Sequence, residues 1–554
     1  MLQGLMQDDF ELTIGAIRRR LDGIYGDGEV VTLREDGPDH SSYREVGERV
    51  NGLARALERL GVGAGDRVGS FAWNSQRHLE LYFAVPCIGA VLHTINVRLF
   101  PEQIAYVIDH AGDEVVFVDD SLLPLVASLA ERCPKVRCWV VMGEGPLPAE
   151  AASLPGSVSY EELLAEAGSE PFDFPAIDER AAAALCYTSG TTGNPKGVLY
   201  SHRAIALHST AMCMAASLGL SAADRVLAIV PMFHVNAWGL PYSAALTGAT
   251  LLMPGPHLQG APLARLIEAE GATLLAGVPT VLTGLLEHVD RHGGDLSSLR
   301  GGICGGAAVP RTLMEGFERH GIRILQAWGM TETAPLLTVA RPAPGSTGEA
   351  EWADRLSAGR LSPWVEARVV SDSGIEPADG EAVGEIEVRG PWVASAYYGA
   401  GDDDGGEKFS ADGWLRTGDI GTIDGRGFVR LTDRAKDLIK SGGEWISSVE
   451  LETELLSHPC VREAAVIAIP DDRWSERPLA CVLFADGERT EPEALRAHLG
   501  ASFARWQLPE SFAFVEEIPK TSVGKIDKKE LRRCFAAGEL AIERAGEREA
   551  ECAS

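Results

Sequence analysis

The segment Tyr187-Thr188-Ser189-Gly190-Thr191-Thr192-Gly193-Asn194-Pro195-Lys196-Gly197 carries three glycines, four Ser or Thr hydroxyls and one lysine in eleven positions. Glycines remove side chains where backbone amides must approach an anion, hydroxyls add donors, and a lysine adds a cation; the chemistry is that of a triphosphate cradle. A Walker loop places its lysine directly after a glycine and follows it with Ser or Thr. Here Lys196 follows Pro195 and precedes Gly197, so the cradle is of another kind. Further on, Gln326-Ala327-Trp328-Gly329-Met330-Thr331-Glu332 sets an aromatic ring, a hydroxyl and a carboxylate together, which suits stacking on a nucleobase and an oxygen ligand for magnesium. Trp414-Leu415-Arg416-Thr417-Gly418-Asp419 presents one carboxylate on a turn, and a carboxylate can accept both hydroxyls of a ribose. Pro519-Lys520-Thr521-Ser522-Val523-Gly524-Lys525-Ile526 carries a cation, Lys525, directly after a glycine. Pro231-Met232-Phe233-His234-Val235-Asn236-Ala237-Trp238-Gly239-Leu240 holds one imidazole among large apolar groups. Taken singly, a lone histidine is usually core, a turn aspartate is usually solvated, and the small-residue turn Gly305-Gly306-Ala307-Ala308-Val309-Pro310 is explained as well by close packing.

In order, and over nearly the whole chain, these strings resemble the motifs of the adenylate-forming superfamily, and most closely those of bacterial medium- and long-chain fatty-acid–CoA ligases. The resemblance implies ATP and CoA as substrates and Mg²⁺ as cofactor, with Thr188 and Glu332 at the metal. It places Ser189, Gly190, Thr191, Thr192, Gly193 and Lys196 around the phosphates and Thr331 on the phosphate of the adenylate. Gly306, Gln326, Ala327, Trp328 and Gly329 would line the nucleotide, and Asp419 would bind the ribose. Lys525 would reach the substrate carboxylate and the α-phosphate, offsetting charge that builds as a carboxylate oxygen attacks phosphorus. Lys525, His234 and Glu332 are therefore the catalytic candidates. Asp433-Arg434-Ala435-Lys436-Asp437-Leu438-Ile439-Lys440-Ser441-Gly442-Gly443-Glu444-Trp445-Ile446-Ser447 resembles the family's hinge. There Asp433 is the pivot, Arg434 and Lys436 lie near the nucleotide, and Lys440, Gly442, Gly443 and Trp445 lie near CoA.

The same resemblance bears on the acid. Amino-acid-activating relatives carry an aspartate directly after the phenylalanine of the Pro231–Leu240 motif, whereas Phe233 is followed here by His234. An apolar site without that counter-charge rejects an ammonium group, because an unpaired ion pays a large desolvation cost. The substrate is expected to be a plain carboxylic acid. His234 would lie beside its carboxylate, and Trp238 would border the acyl tunnel as a gate. The branch also contains ligases for short thioether acids such as 3-methylmercaptopropionate, which stand as the alternative. A non-catalytic nucleotide sensor would leave Lys525 and the hinge without a purpose.

The elements that must position these groups follow from periodicity. Ala181–Cys186 is apolar and strand-like, which sets the phosphate loop at a strand's carboxyl end, where α/β sheets bind ligands. Val46, Val50, Leu53, Leu57 and Leu60 recur at helical spacing before Gly61. Strands are predicted at Val226–Val230, Thr250–Met253, Thr273–Leu275 and Ile322–Leu325, with helices at Pro279–His288 and Pro310–His320 between them; this alternation reads as α/β with largely parallel sheets. Residues 340–432 turn β-rich, with strands at Ala367–Val370, Gly384–Arg389 and Phe428–Leu431. Beyond the hinge, strands Ala464–Ala468, Leu479–Phe484 and Phe512–Phe514 and helices Pro492–Phe503 and Asp527–Phe535 form a small, mobile α+β unit. The expected division is an adenylation domain over 1–432, a hinge over 433–440 and a mobile domain over 441–554. The acidic tail after about Glu539 is expected to fray.

Eighty acidic against fifty basic residues leave a formal net charge of -30. A nucleic-acid binder relying on a basic field is excluded, and anionic membranes are poor partners. Ten cysteines without a CxxC pair read as buried thiols in a reducing compartment. The amino terminus lacks the basic and apolar regions of a secretory signal, and Glu80, Pro86 and His93 interrupt the apolar run Leu79–Ile95. A cytoplasmic enzyme of small-molecule substrates is expected, with homodimer formation left open.

Overall fold

The helix read from Val46, Val50, Leu53 and Leu57 spans Tyr43–Arg59 and buries all four residues. Ser42 caps it in a reciprocal box with Glu45, and the chain leaves it through Gly61 at φ 76°. This helix belongs to a computed structural model that describes residues 5–7, 9–145, 147–168, 170–188, 194–399, 408–434, 436–441, 444–471, 473–485, 487–521 and 526–545.

Two large sheets lie within the first 434 residues. One has seven strands, in the order Val158–Ser159, Cys138–Met142, Val115–Asp119, Arg67–Phe71, Val91–Thr94, Ala182–Tyr187 and Gly197–Ser201. All its neighbours are parallel except the last pair, a hairpin. The other has fourteen strands. Its parallel half contains Thr250–Met253, Arg225–Ala228, Leu274–Gly277, Gly301–Gly305 and Ile324–Gly329, each close to a strand read from the sequence except Gly301–Gly305. The β-rich segment continues the same sheet edge to edge. Leu336–Val339 pairs antiparallel with Ile324–Gly329, and Gly359–Leu361 links it to Phe428–Arg434, Leu415–Ile423, Gly384–Arg389 and Glu366–Ser371. Parallel strands buried on both faces must be apolar throughout, which is why Ala182–Tyr187 and Thr250–Met253 read as unbroken hydrophobic runs.

A third sheet contains Ile439–Ser441, Glu444–Ile446, Val461–Asp471, Ser475–Phe484, Ser511–Phe514 and Ile542–Arg544. Helices Ser448–Leu456, Pro492–Leu499 and Lys528–Ala536 accompany it. The tail departs from expectation at one point: Ile542–Arg544 pairs antiparallel with Ser511–Phe514 instead of fraying, because its backbone completes the exposed edge of that sheet. The predicted helix Pro492–Phe503 stops at Leu499, with Gly500 as its C-cap. Among the described residues no helix is long and apolar enough to cross a membrane, the interrupted run Leu79–Ile95 being a buried helix Gln76–Cys87 followed by a strand.

Helix His202–Cys213 packs its face of Ile205, His208 and Met212 into the core. His208 Nε2 accepts a hydrogen bond from Leu336 N at 3.3 Å, and burial pushes the imidazole pKa down to about 3. The unfolded chain takes up this proton near pH 6.5 and the folded chain does not, so His208 contributes stability above that pH that is lost as pH falls. Between pH 7 and 5 the loss is about 2 kcal/mol for this residue. His208→Gln, whose amide oxygen can still accept from Leu336 N, should flatten the pH dependence of the urea-unfolding midpoint over that window; parallel slopes in the two proteins would show that His208 protonates freely in the native state.

Candidate active site

Strand Ala182–Tyr187 ends at the root of the glycine-threonine loop, and Gly197–Ser201 returns antiparallel beside it. The loop is thus the tip of a hairpin. Its ends are locked together, for Thr188 N donates to Lys196 O at 2.9 Å and Lys196 N donates to Thr188 Oγ1 at 3.1 Å. Ser189, Gly190, Thr191, Thr192 and Gly193 lie outside the described residues, as do Gly442, Gly443 and Lys525.

A residue that no motif singled out joins this hairpin to the carboxylate of the second string. Tyr397 Oη donates to Glu332 Oε1 at 2.6 Å, and its ring centre stands 4.9 Å from Lys196 Nζ. Burial, followed by the Glu332 charge, raises the phenol's pKa far above its ordinary value, so Tyr397 remains a donor. Its neighbour Tyr398 donates from its backbone to Gly197 O at 2.8 Å, and Ala394 N donates to Glu332 O at 2.7 Å. From the hairpin itself, Tyr200 Oη donates to Thr331 O at 2.6 Å. The bonds of Tyr200 to Thr331 and Tyr398 to Gly197, with the Tyr397–Lys196 contact, join the two large sheets, while Tyr397 and Ala394 fix Glu332 beside that junction. The partners are 65 and 131 residues apart in the chain, a separation that carries no periodic signal in the sequence.

Strand Ile324–Gly329 carries the next group. Trp328 Nε1 donates to Asp419 Oδ2 at 2.8 Å, while Arg434 Nε lies 3.3 Å from Asp419 Oδ1. The carboxylate expected to face a ribose is thereby fixed from two sides, and the three residues read separately from three strings come together. Gln326 takes a different part. Its Oε1 accepts from Val309 N at 2.7 Å and its Nε2 donates to Ser357 O at 2.9 Å, so both ends of the side chain brace backbone and only its main chain is left to border a nucleotide. The brace holds the turn after Gly301–Gly305, where Gly306 has φ 89°. Ala327 and Gly329 share the strand with Trp328. A methyl group at Gly305 would stand 2.8 Å from Ala327 O and 3.3 Å from Trp238 Cη2. The Trp238 ring therefore reaches the same turn.

The His234–Trp238 string is folded unusually. Val235, Asn236, Ala237 and Trp238 have φ of 48°, 49°, 47° and 55°, and Gly239 follows at 73°. Each left-handed non-glycine residue costs roughly 1–2 kcal/mol, least for Asn, so the turn is strained and is held by its surroundings. It follows a strand end pinned by Asn74, whose Oδ1 accepts from Met232 N at 2.6 Å and whose Nδ2 donates to Ala228 O and Val230 O. His234, half-buried, begins the turn and half-buried Trp238 ends it.

At the expected pivot, Asp433 is buried. Its Oδ2 accepts from Ser448 N at 2.7 Å and from Ser448 Oγ at 2.5 Å, at the start of helix Ser448–Leu456. Lys528 Nζ donates to the same hydroxyl and lies 2.7 Å from Glu452 Oε1. Lys436 is exposed beyond the pivot, with its pKa lowered by desolvation. Exposed Lys440 lies on strand Ile439–Ser441, which pairs with the strand of Trp445.

Among the described residues no group of three or more His, Cys, Asp or Glu could hold a metal by itself. Glu332 and Thr188 offer hard oxygen donors, and Mg²⁺ is commonly bound by one or two such groups together with substrate phosphates, so the donor set fits that ion.

Thr188, Lys196, Thr331 and Glu332 thus lie about one junction, and Trp328, Asp419 and Arg434 form a second group reached from the same strand Ile324–Gly329. The AMP-binding enzyme profile matches residues 25–398, and the AMP-binding enzyme C-terminal domain profile matches residues 450–525. The chain belongs to the AMP-binding enzyme family. It is 46% identical over 533 residues to a long-chain-fatty-acid–CoA ligase of Thermus thermophilus, covering 95% of this chain and 96% of the relative. A medium-chain-fatty-acid–CoA ligase of Ectopseudomonas oleovorans is 44% identical over 97% of this chain and 98% of its own length. A 3-methylmercaptopropionyl-CoA ligase of Ruegeria lacuscaerulensis is 43% identical over 92% and 95%. The crystal structure of an anthranilate CoA ligase in complex with anthranoyl-AMP superposes with a TM-score of 0.85 at 27% identity, covering 96% of this chain and all of that one.

Trp328→Phe keeps the ring and removes the donor to Asp419. Loss of one hydrogen bond to a charged group should raise the KM for ATP about tenfold with the KM for the acid little changed. An unaltered KM for ATP would show that Asp419 does not need this bond.

Proposed function

We propose that the chain is an AMP-forming acid–thiol ligase that converts a medium- or long-chain fatty acid to its CoA thioester in two steps. A carboxylate oxygen attacks the α-phosphorus of ATP and pyrophosphate leaves, giving the acyl adenylate. The CoA thiolate then attacks the acyl carbonyl, and AMP leaves. The observation that carries this reading is the approach of the Trp238 ring to the Gly305–Gly306 turn: acid and nucleotide must meet for adenylation, and here the apolar turn and the nucleotide-side turn abut.

In this reading Thr188, Lys196 and the loop amides hold the phosphates, Asp419 holds the ribose, and Trp328 and Arg434 fix Asp419. Tyr397 orients Glu332. Magnesium, held by Glu332, Thr188 and the phosphates, would neutralise charge on the departing pyrophosphate. His234 lies beside the acyl carboxylate. Lys525 supplies positive charge at the carboxylate and α-phosphate during the first step. Residues 433–440 act as the hinge between an adenylation domain over 1–432 and a mobile domain over 441–554, whose rotation replaces Lys525 with the CoA arm near Lys440, Gly442, Gly443 and Trp445. The reading places the enzyme in the cytoplasm, where ATP and CoA are available. The relative that acts as a 3-methylmercaptopropionyl-CoA ligase supports a second reading, in which the acid is a short thioether acid.

A panel of acids from C4 to C16 with 3-methylmercaptopropionate, assayed for AMP release, separates these readings; the fatty-acid reading requires CoA-dependent AMP release that is greatest with C8 or longer acids. Trp238→Ala should shift the preferred chain length while leaving the KM for ATP within about twofold, and an unchanged preference would remove Trp238 from the tunnel. Lys525→Ala should abolish acid-dependent ATP–pyrophosphate exchange yet spare thioester formation from supplied acyl-AMP. Equal loss of both half-reactions would overturn the role given to Lys525.

A further inference from the structure

Within the strained turn after His234, the side chain of Asn236 reaches the neighbouring strands. The Asn236 side chain is buried, and its Oδ1 lies 3.3 Å from Thr94 Oγ1 and 3.3 Å from Cys186 Sγ, both of which can donate to it, and 3.4 Å from Tyr82 Oη. Thr94 Oγ1 and Cys186 Sγ lie 3.3 Å from each other, so the two donors and the amide oxygen form one cluster. The partners come from three elements. Thr94 ends strand Val91–Thr94, Tyr82 lies on helix Gln76–Cys87, and Cys186 sits two residues before Thr188 on the strand that leads into the phosphate loop. Tyr82 Oη donates its hydrogen to Met232 O at 2.5 Å, holding the entry to the turn. Asn is the non-glycine residue that tolerates left-handed backbone best, and it stands at the centre of a run in which Val235, Ala237 and Trp238 tolerate it poorly. Backbone bonds from Ala237 N to His234 O and Pro231 O, each 3.2 Å, close the turn on itself. The amide oxygen, buried where water cannot replace a lost donor, ties it to the neighbouring strands.

We propose that Asn236 is a positioning residue that ties the acid-site turn to the strand bearing the phosphate loop, so that His234 and Trp238 keep their places only while Thr94 and Cys186 hold its amide. The inference rests on reading the His234–Trp238 turn as the acid site. Asn236 itself touches neither substrate nor reacting atoms in this account. It acts through the turn.

Thr94 lets the tie be tested without altering the turn or any residue placed in the substrate sites. Thr94→Val is isosteric and lacks the hydroxyl, whereas Thr94→Ser keeps it. Hydrogen–deuterium exchange of the peptide spanning 231–241 reports on the turn independently of any activity. In Thr94→Val this exchange should accelerate, and the KM for the acid should rise about fivefold, the worth of one lost hydrogen bond, with the KM for ATP within about twofold of wild type. Thr94→Ser should restore both. If Thr94→Val does not fold, Cys186→Ala removes a donor from the other strand and is read in the same way. Unchanged exchange overturns the tie. Faster exchange with equal rises in both KM values overturns the positioning role and leaves a general packing defect. Faster exchange with neither KM altered keeps the tie and overturns the reading of this turn as the acid site, and the positioning role falls with it.

Discussion

A highly charged anion has to be held by a chain whose acidic residues outnumber its basic ones by 80 to 50. No general field can do this, so the attraction must be local, and the architecture is organised to make it so. The two large sheets are joined through tyrosines: Tyr200 to Thr331, the ring of Tyr397 to Lys196, and the backbone of Tyr398 to Gly197, with the Tyr397 hydroxyl on Glu332. A phenol suits the task, since it buries an apolar ring in the junction and delivers one neutral donor at its far end. Acidic side chains that would otherwise repel a phosphate are thereby fixed in direction. Glu332 keeps one oxygen on Tyr397, and Asp419 is held by Trp328 and Arg434.

Much of this was legible in the sequence, and the reasons for the remainder are physical. Strands buried on both faces announce themselves as continuous apolar runs, so Ala182–Tyr187 and Thr250–Met253 could be read almost to the residue. Residue chemistry marked Asp419, Glu332 and Trp328, and the structure brings Trp328 and Asp419 into contact. Tyr397 escaped because its meaning lies wholly in Glu332, a residue far away along the chain, and a tyrosine at a sheet's end is unremarkable by type. The motif marks Gln326 as a nucleotide residue, and that its amide also braces Val309 N and Ser357 O depends on partners the motif does not contain. The left-handed turn was illegible for a stronger reason: Val235, Ala237 and Trp238 are types that disfavour that conformation, so local propensity argued against the backbone that tertiary contacts impose. The edge strand Ile542–Arg544 is specified by its partner's open backbone more than by its own residues.

The region read as a pivot carries its own constraint. Asp433 is buried and engaged with the first residue of helix Ser448–Leu456, and Lys528 and Glu452 extend that contact into the third sheet's domain. Its carboxylate thus belongs structurally to that helix, while its backbone closes the strand Phe428–Arg434. A turning point located there has its side chain on one side and its main chain on the other.

The glycine-threonine segment connects the two strands of an antiparallel hairpin, and this bears on how an anion arrives. A loop that opens a helix would add the positive end of the helix dipole to its amides, whereas this one runs into strand Gly197–Ser201. At a distance an approaching polyphosphate meets the repulsion of a net charge of -30, which local cations must offset at the site. Added salt screens the far repulsion over a Debye length of about 10 Å at 0.1 M, more effectively than it screens the contacts at the junction. Moderate ionic strength therefore speeds the encounter, the opposite of the behaviour of sites that steer their anions with a basic surface.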